Sequence, residues 1–188
     1  MWVLIDNYDS FTHILHHYLL QTGNECIVYR NDEISLQQLI ELRPSRIIIS
    51  PGPKTPLQAG LCMELIAHFH DKVPILGVCL GHQGLGMYFG AELVHTDYPM
   101  HGKTSLISHN QHPIFHNIPS PFTVMRYHSL AVKGFENTNL EVVASTDDGI
   151  VMALAHKEYP CMGLQFHPES IGTEYGLQLL KNWSDMHP

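Results

Sequence analysis

Three residues in this chain have the types and surroundings that covalent acyl chemistry requires. Cys79 lies in "GVCLGHQ" (77–83), between two glycines at the end of an apolar run. His167 and Glu169 lie in "QFHPES" (165–170), two residues apart across Pro168. A thiol becomes a working nucleophile when a base takes its proton and a third group holds that base in place. Proline fixes its own φ and biases the residue before it toward extended geometry, so this spacing can put imidazole and carboxylate on one side. The carboxylate would set the tautomer and leave the other ring nitrogen to serve the thiol. A strand–nucleophile–helix passage would display Cys79 on a sharp turn, with Gly77 and Gly81 permitting close packing around it. The start of the following helix would favour thiolate, and the Leu80 N–H would face a reacting carbonyl. Gly52, in "PGP" (51–53), offers a second such N–H. Each piece also has a plainer reading. Free cysteine is commonly a buried packing residue, "PGP" an ordinary turn, and a histidine near a glutamate a coincidence of the surface.

The elements that would have to position these residues are legible as alternating strands and helices. Apolar runs at 2–6, 26–30, 46–50 and 73–79 read as strands covered on both faces. Between them lie a helical pattern over 10–23, with Ser10 as N-cap and Gly23 as stop, and others over 35–42 and 57–70. A short glycine-rich helix is expected over 81–90; Gly84 and Gly86 should weaken it and leave the turn at Cys79 locally mobile. Past residue 91 short β-like segments dominate ("AELVHT", "KTSLISH", "FTVMRYHSLAV", "LEVVAST", "IVMALAH", "CMGLQF"), and a helix over 174–183 closes the chain. Successive β-α units imply a parallel sheet with helices on both faces, here with antiparallel segments added in the C-terminal half. No linker or repeat interrupts 1–188, so one domain is expected. In such sheets sites gather beyond the carboxyl ends of the strands, which places "DNYDSFT", "SPGPKTP" and "CLGHQ" on one rim.

Composition narrows the function classes. With 44% hydrophobic and 15% charged residues over 188 positions, the chain can bury one sizeable core. A net charge of −8 argues against a nucleic-acid surface, and no apolar stretch approaches a membrane span. The start "MWVLIDNYDS" lacks a basic region and cleavage site, and the four cysteines show neither paired nor framework spacing. A cytoplasmic protein with reduced thiols is the expectation. The 15 histidines form loose groups without the acidic or thiolate company of a ligand set, so no metal site is expected.

Six segments in order, "LIDNYDSFT", "ISPGPKTP", "LGVCLGHQ", "MHGKTS", "RYHSL" and "GLQFHPES", resemble the class I (triad) glutamine amidotransferases, in particular the small subunits of anthranilate and aminodeoxychorismate synthases. The resemblance runs from residue 3 to about 180 and implies the flavodoxin-like α/β fold of that family. It implies Cys79 as nucleophile, His167 as base and Glu169 as its partner. It further implies Gly52 and Leu80 as oxyanion donors, Gln83, Ser129 and Leu130 as contacts for glutamine, and His101, Gly102 and Lys103 as a partner-facing run. The activity implied is hydrolysis of glutamine through a thioester, with ammonia passed to a large chorismate-binding synthase subunit. No cofactor is implied on this chain; Mg²⁺ would belong to the partner. Lys54 departs from the family pattern, where a small or uncharged residue is usual. Three other readings compete: an amidotransferase serving another acceptor, a stand-alone γ-glutamyl hydrolase, and a non-enzymatic flavodoxin-like module.

Overall fold

The computed structural model of the chain describes residues 1–186. Its elements in chain order are β1 (Trp2–Asp6), α1 (Thr12–Leu20), β2 (Cys26–Arg30), α2 (Leu36–Leu42), β3 (Arg46–Ile49), α3 (Cys62–Phe69), β4 (Ile75–Val78) and α4 (Leu80–Tyr88). They continue with β5 (Glu92–His95), β6 (Lys103–His109), β7 (Phe122–Arg126), β8 (Leu130–Lys133), β9 (Leu140–Ser145), β10 (Val151–His156), β11 (Cys161–Leu164) and α5 (Gly176–Asp185).

Runs such as Val3-Leu4-Ile5 and Ile47-Ile48-Ile49 are buried along their whole length because both faces of their sheet are covered. Alternate residues point to opposite faces, so each strand feeds two cores. One contains Leu4, Ile48, Leu76 and Phe166 under Leu15 and Leu19 of α1 and Leu179 and Trp183 of α5. The other contains Val3, Ile47, Ile49 and Ile75 under Leu39, Leu65, Ile66 and Leu85 of α2, α3 and α4. The sheet has nine strands in the order β2-β1-β3-β4-β11-β10-β9-β6-β7. It is parallel from β2 to β11 and antiparallel from β11 onward, with β5 and β8 forming a separate antiparallel pair. The last strand in the chain therefore sits in the middle of the sheet, beside β4.

Four local expectations change. Ser10 does not cap α1; the helix starts after Phe11, and Asp6 organises the turn by accepting from the N–H of Tyr8 and the hydroxyl of Thr12, at 2.9 and 2.7 Å. The helix expected over 57–70 is broken into a short turn at Pro56–Gln58 and α3, because the Leu61 N–H leaves the helical ladder to donate to the Asn31 carbonyl at 3.3 Å. The segment 122–132 is two strands, β7 and β8, joined by a turn at Tyr127–Ser129. Finally, α4 is not a loose helix. Residues Leu80 to Gly86 are all buried, and Gly84 and Gly86 lie against Ile66 and Val132. Their small size serves packing.

The tightest approach lies where β4 passes into α4. A methyl group added at Gly77 would lie 2.3 Å from the Gly81 carbonyl carbon, and one at Gly81 would lie 2.6 Å from the Ile49 carbonyl oxygen. Backbone cannot yield as a side chain can. Gly81→Ala should therefore cost about 2–3 kcal/mol or more despite alanine's better helix propensity. Gly134→Ala, at a φ of +79° with open space around it, should cost only about 1 kcal/mol. Urea unfolding of both variants checks the order; an equal or smaller loss for Gly81→Ala contradicts it.

Candidate active site

Val78 is the last strand residue of β4, and the chain then turns sharply at Cys79, whose φ is 51° and ψ −97°. A positive φ on a residue with a side chain costs of order 1–3 kcal/mol and persists only where the surroundings enforce it. Here they do. The Cys79 N–H donates to the Leu164 carbonyl of β11 at 2.7 Å, and the Cys79 carbonyl accepts from the Gln83 N–H at 3.1 Å. The turn displays the thiol at the N-terminus of α4, beyond the carboxyl end of the sheet.

Because β11 runs parallel to β4, the residues that follow it emerge beside the turn. His167 Nδ1 donates to Glu169 Oε1 at 2.7 Å, and the two side chains are 2% and 0% exposed. Expected from a spacing of two across proline, the pairing is realised. The imidazole is held edge-on by Tyr127, with centroids 4.9 Å apart, and by Phe11 at 5.8 Å. Its backbone is tied to β7: the His167 N–H donates to the Met125 carbonyl at 3.1 Å, and the Thr173 hydroxyl donates to the His167 carbonyl at 2.6 Å. The remaining ring nitrogen, Nε2, is buried without a well-aligned hydrogen bond, but the Cys79 thiol is its neighbour. Burial alone would lower the imidazole pKa. Contact with Cys79 and Glu169 outweighs it, and the result is a raised value.

Gly52 lies between the Asn7 backbone and Leu80. A methyl group there would sit 2.5 Å from Asn7 Cβ and 3.4 Å from Leu80 Cδ1, so only glycine lets this backbone approach the start of α4. Asn7 in turn is fixed by Ser50, through Oγ at 2.9 Å and the carbonyl at 2.9 Å. Lys54, the departure noted above, has a φ of +65°, a conformation that glycine adopts without strain. Gln83 points its amide at the Leu130 carbonyl, 3.0 Å away, while the Ser129 carbonyl is taken by the Thr96 N–H at 2.9 Å. His101, Gly102 and Lys103 are exposed; the Gly102 N–H donates to the Arg126 carbonyl of β7 at 3.0 Å, and a methyl group at Gly102 would lie 3.3 Å from the Tyr127 ring that packs on His167.

Several residues of this site carry no role in the sequence reading. Gln165 is fully buried, with Nε2 donating to Cys79 Sγ at 3.7 Å and Oε1 accepting from Gln83 at 3.3 Å. Its sequence signal was a polar side chain two residues before His167 at the end of an apolar run; in the structure the chain has already left β11 and bends at 165 and 166. Tyr127, His128 and Arg126 fall inside "RYHSL", but nothing local shows that they turn inward. Phe11 falls inside "DNYDSFT" on the expected rim, but nothing local shows that its ring packs on His167.

A thiol on a strained turn, an imidazole oriented by a carboxylate and two approaching backbone segments form a constellation for nucleophilic acyl transfer. The glutamine amidotransferase class-I family model matches residues 3–186, and the chain belongs to that family. Among its relatives, the aminodeoxychorismate/anthranilate synthase component 2 of Bacillus subtilis is 45% identical over 188 residues, covering 100% of this chain and 97% of that one. The bifunctional protein TrpGD of Thermotoga maritima is 46% identical over 96% of this chain, which spans 31% of that longer protein. A solved structure described as that of a GMP synthase protein from Thermoplasma acidophilum superposes with a TM-score of 0.85 at 25% identity, over 97% of this chain and 92% of that one. Among the described residues, no helix is long and apolar enough to cross a membrane, and no group of three or more histidine, cysteine or acidic side chains could hold a metal.

Two predictions follow from the burial of titratable groups. Burial pushes the Cys26 thiol up to about 11 and the Cys62 and Cys161 thiols to about 12. Cys161, the expected exception at a strand start, is occupied by donating to the His70 carbonyl at 3.4 Å. A glutamine-mimicking electrophile at neutral pH should label Cys79 at least about tenfold faster than any other cysteine. Peptide mapping that finds comparable labelling at a second site contradicts the assignment.

The second concerns acid. Burial lowers His82 to about 3; burial and the Arg126 charge lower His128 to about 4. An unfolded histidine titrates near 6.5, so as pH falls below that value the unfolded chain binds protons that the folded chain refuses. The stability these groups contribute is complete above about pH 6.5 and is lost toward pH 4, by roughly 1 kcal/mol per group per pH unit. His167, with a raised pKa, has the opposite sign: its contribution is complete below the unfolded value and is lost on the alkaline side. Urea unfolding at pH 7, 6 and 5 should show the acid slope, and His128→Gln should flatten it; an unchanged slope contradicts the reading.

Proposed function

We propose that this chain is the glutaminase subunit of a chorismate-using synthase, making ammonia that a large partner subunit consumes. The observation that carries the reading is the Cys79 turn set beside a His167–Glu169 pair joined at 2.7 Å. The Cys79 thiolate attacks the side-chain amide carbon of glutamine, and the oxyanion meets the N–H groups of Gly52 and Leu80. Protonated His167 gives its proton to the departing nitrogen, ammonia leaves, and a γ-glutamyl thioester remains on Cys79. His167 then takes a proton from water, and the hydroxide attacks the thioester. The second tetrahedral intermediate collapses to glutamate and thiolate. Glu169 keeps Nε2 of His167 aimed at both proton transfers.

The Gln83 side chain contacts glutamine, the backbone of Ser129 and Leu130 holds its amino-acid end, and the exposed His101-Gly102-Lys103 run faces the partner. This chemistry needs no metal or cofactor on this chain; Mg²⁺ belongs with chorismate on the large subunit. The relatives named for anthranilate and aminodeoxychorismate synthases, at 45% identity or above, support this acceptor over that of the structural relative described as a GMP synthase protein, at 25%. The site of action proposed is the cytoplasm, where the four thiols stay reduced.

In the complex of this chain with its large subunit, Cys79→Ser should lower glutamine-dependent synthesis by at least about a thousandfold. Synthesis from added ammonium salt should persist, because the partner's chemistry is untouched. Retention of glutamine-dependent turnover in that variant refutes the assignment of Cys79.

A further inference from the structure

We propose that Gln165 is a positioning residue of the glutaminase site, its buried amide binding the Cys79 sulfur and the Gln83 side chain into one hydrogen-bonded unit. This deepens the function proposed above and rests on it.

The hydrogen-bond roles along the unit are forced by chemistry. Arginine has only donors, so the Arg126 Nε–H, 3.0 Å from His128 Nε2, makes that nitrogen an acceptor. The proton of a neutral His128 is then on Nδ1, which donates to the Leu130 carbonyl at 2.9 Å. That carbonyl also accepts from Gln83 Nε2 at 3.0 Å, which fills both of its lone pairs. The second Gln83 N–H goes to Gln165 Oε1 at 3.3 Å. With its carbonyl engaged, the Gln165 amide has only N–H to offer Cys79 Sγ, 3.7 Å away. At the far end the Arg126 guanidinium donates from Nη1 to Ser105 Oγ on β6 at 3.0 Å, which anchors the unit in the sheet.

Two consequences follow. The Gln165 N–H donates to a sulfur that carries negative charge during the reaction, and a hydrogen bond to the charged form stabilises it. Both N–H groups of Gln83 are consumed, so only its Oε1 is free to face the cleft. Gln83 therefore recognises a donor on the substrate, and Gln165 is what keeps it in that orientation. Gln165 is 0% exposed, so neither bond competes with water.

The test compares Gln165→Met, which keeps length and removes both polar groups, with the unsubstituted chain. The titratable groups around the thiol are the same in both: His167 with Glu169 behind it from the loop after β11, His82 on α4, and His128 in the β7–β8 turn. In Gln165→Met, the pH of half-maximal Cys79 alkylation by iodoacetamide should rise by roughly one unit. In the complex, KM for glutamine should rise by roughly tenfold while ammonium-dependent synthesis is unchanged. Gln165→Glu, which sets an anion beside the sulfur, should raise the alkylation midpoint further. A merely structural role would leave the midpoint in place. An unchanged midpoint and an unchanged KM in a cooperatively folded variant overturn the proposal. If neither variant folds, the unsubstituted chain decides: the Gln165 side-chain N–H resonance should move when Cys79 is alkylated, and a resonance that stays still overturns the proposal. These outcomes are separable from failure of the function itself, which would show as glutamine-dependent synthesis surviving Cys79→Ser.

Discussion

The bond from the Cys79 N–H to the Leu164 carbonyl, 2.7 Å long, is the joint on which the active-site rim is built. It clamps the first residue after β4 to the last residue of β11. A residue with a side chain does not take a φ of 51° unless held there, and this bond holds it from one side while Gly77 and Gly81 clear the other. The same clamp sets where β11 ends, and so where Gln165 and His167 emerge relative to the thiol. Cys79 directly follows β4, and His167 lies three residues past the end of β11, so the proposed nucleophile and base leave two paired parallel strands side by side.

Charge around this joint is arranged with equal economy. Glu169 and His167 are almost wholly buried, a costly placement that is tolerable because each compensates the other at 2.7 Å. The neighbouring imidazoles of His82 and His128 are kept neutral by burial, so they do not compete with His167 for the role of cation. Arg126 is buried too, yet its donors are committed to His128 and Ser105 rather than to the triad. The charge that changes during a proton transfer is thereby confined to one pair of side chains.

Much of this was legible from sequence, and what was not has particular causes. The strands of the parallel half read correctly because buried parallel strands are continuous apolar runs, and Cys79, His167 and Glu169 stood out because their company is specific. The break before α3 was hidden because it depends on a hydrogen bond to Asn31, thirty positions away on another turn. Ser10 misled because any serine before a helical pattern looks like a cap, whereas Asp6 and Asp9 shape that turn. Gly84 and Gly86 suggested looseness because propensity knows nothing of Val132 pressing on the helix. Gln165 was visible as a polar residue two positions before His167; its contacts with Cys79 and Gln83 depend on which strand lies next to it, and the local sequence does not show that.

The placement of β11 between β4 and β10 has a consequence for a chain made from its N-terminus. Until residues 161–164 leave the ribosome, the edge of β4 has no partner on that side, and the carbonyl that clamps Cys79 does not yet exist. The nascent protein thus carries Cys79 for nearly half of its synthesis before His167, its proposed base, has been made. Under the proposed assignment, thiol and base meet only once this four-residue strand has paired beside β4. Pairing of that strand also covers the edge of β4 that would otherwise stay open, so closing the sheet and bringing the base of the proposed site to its thiol go together.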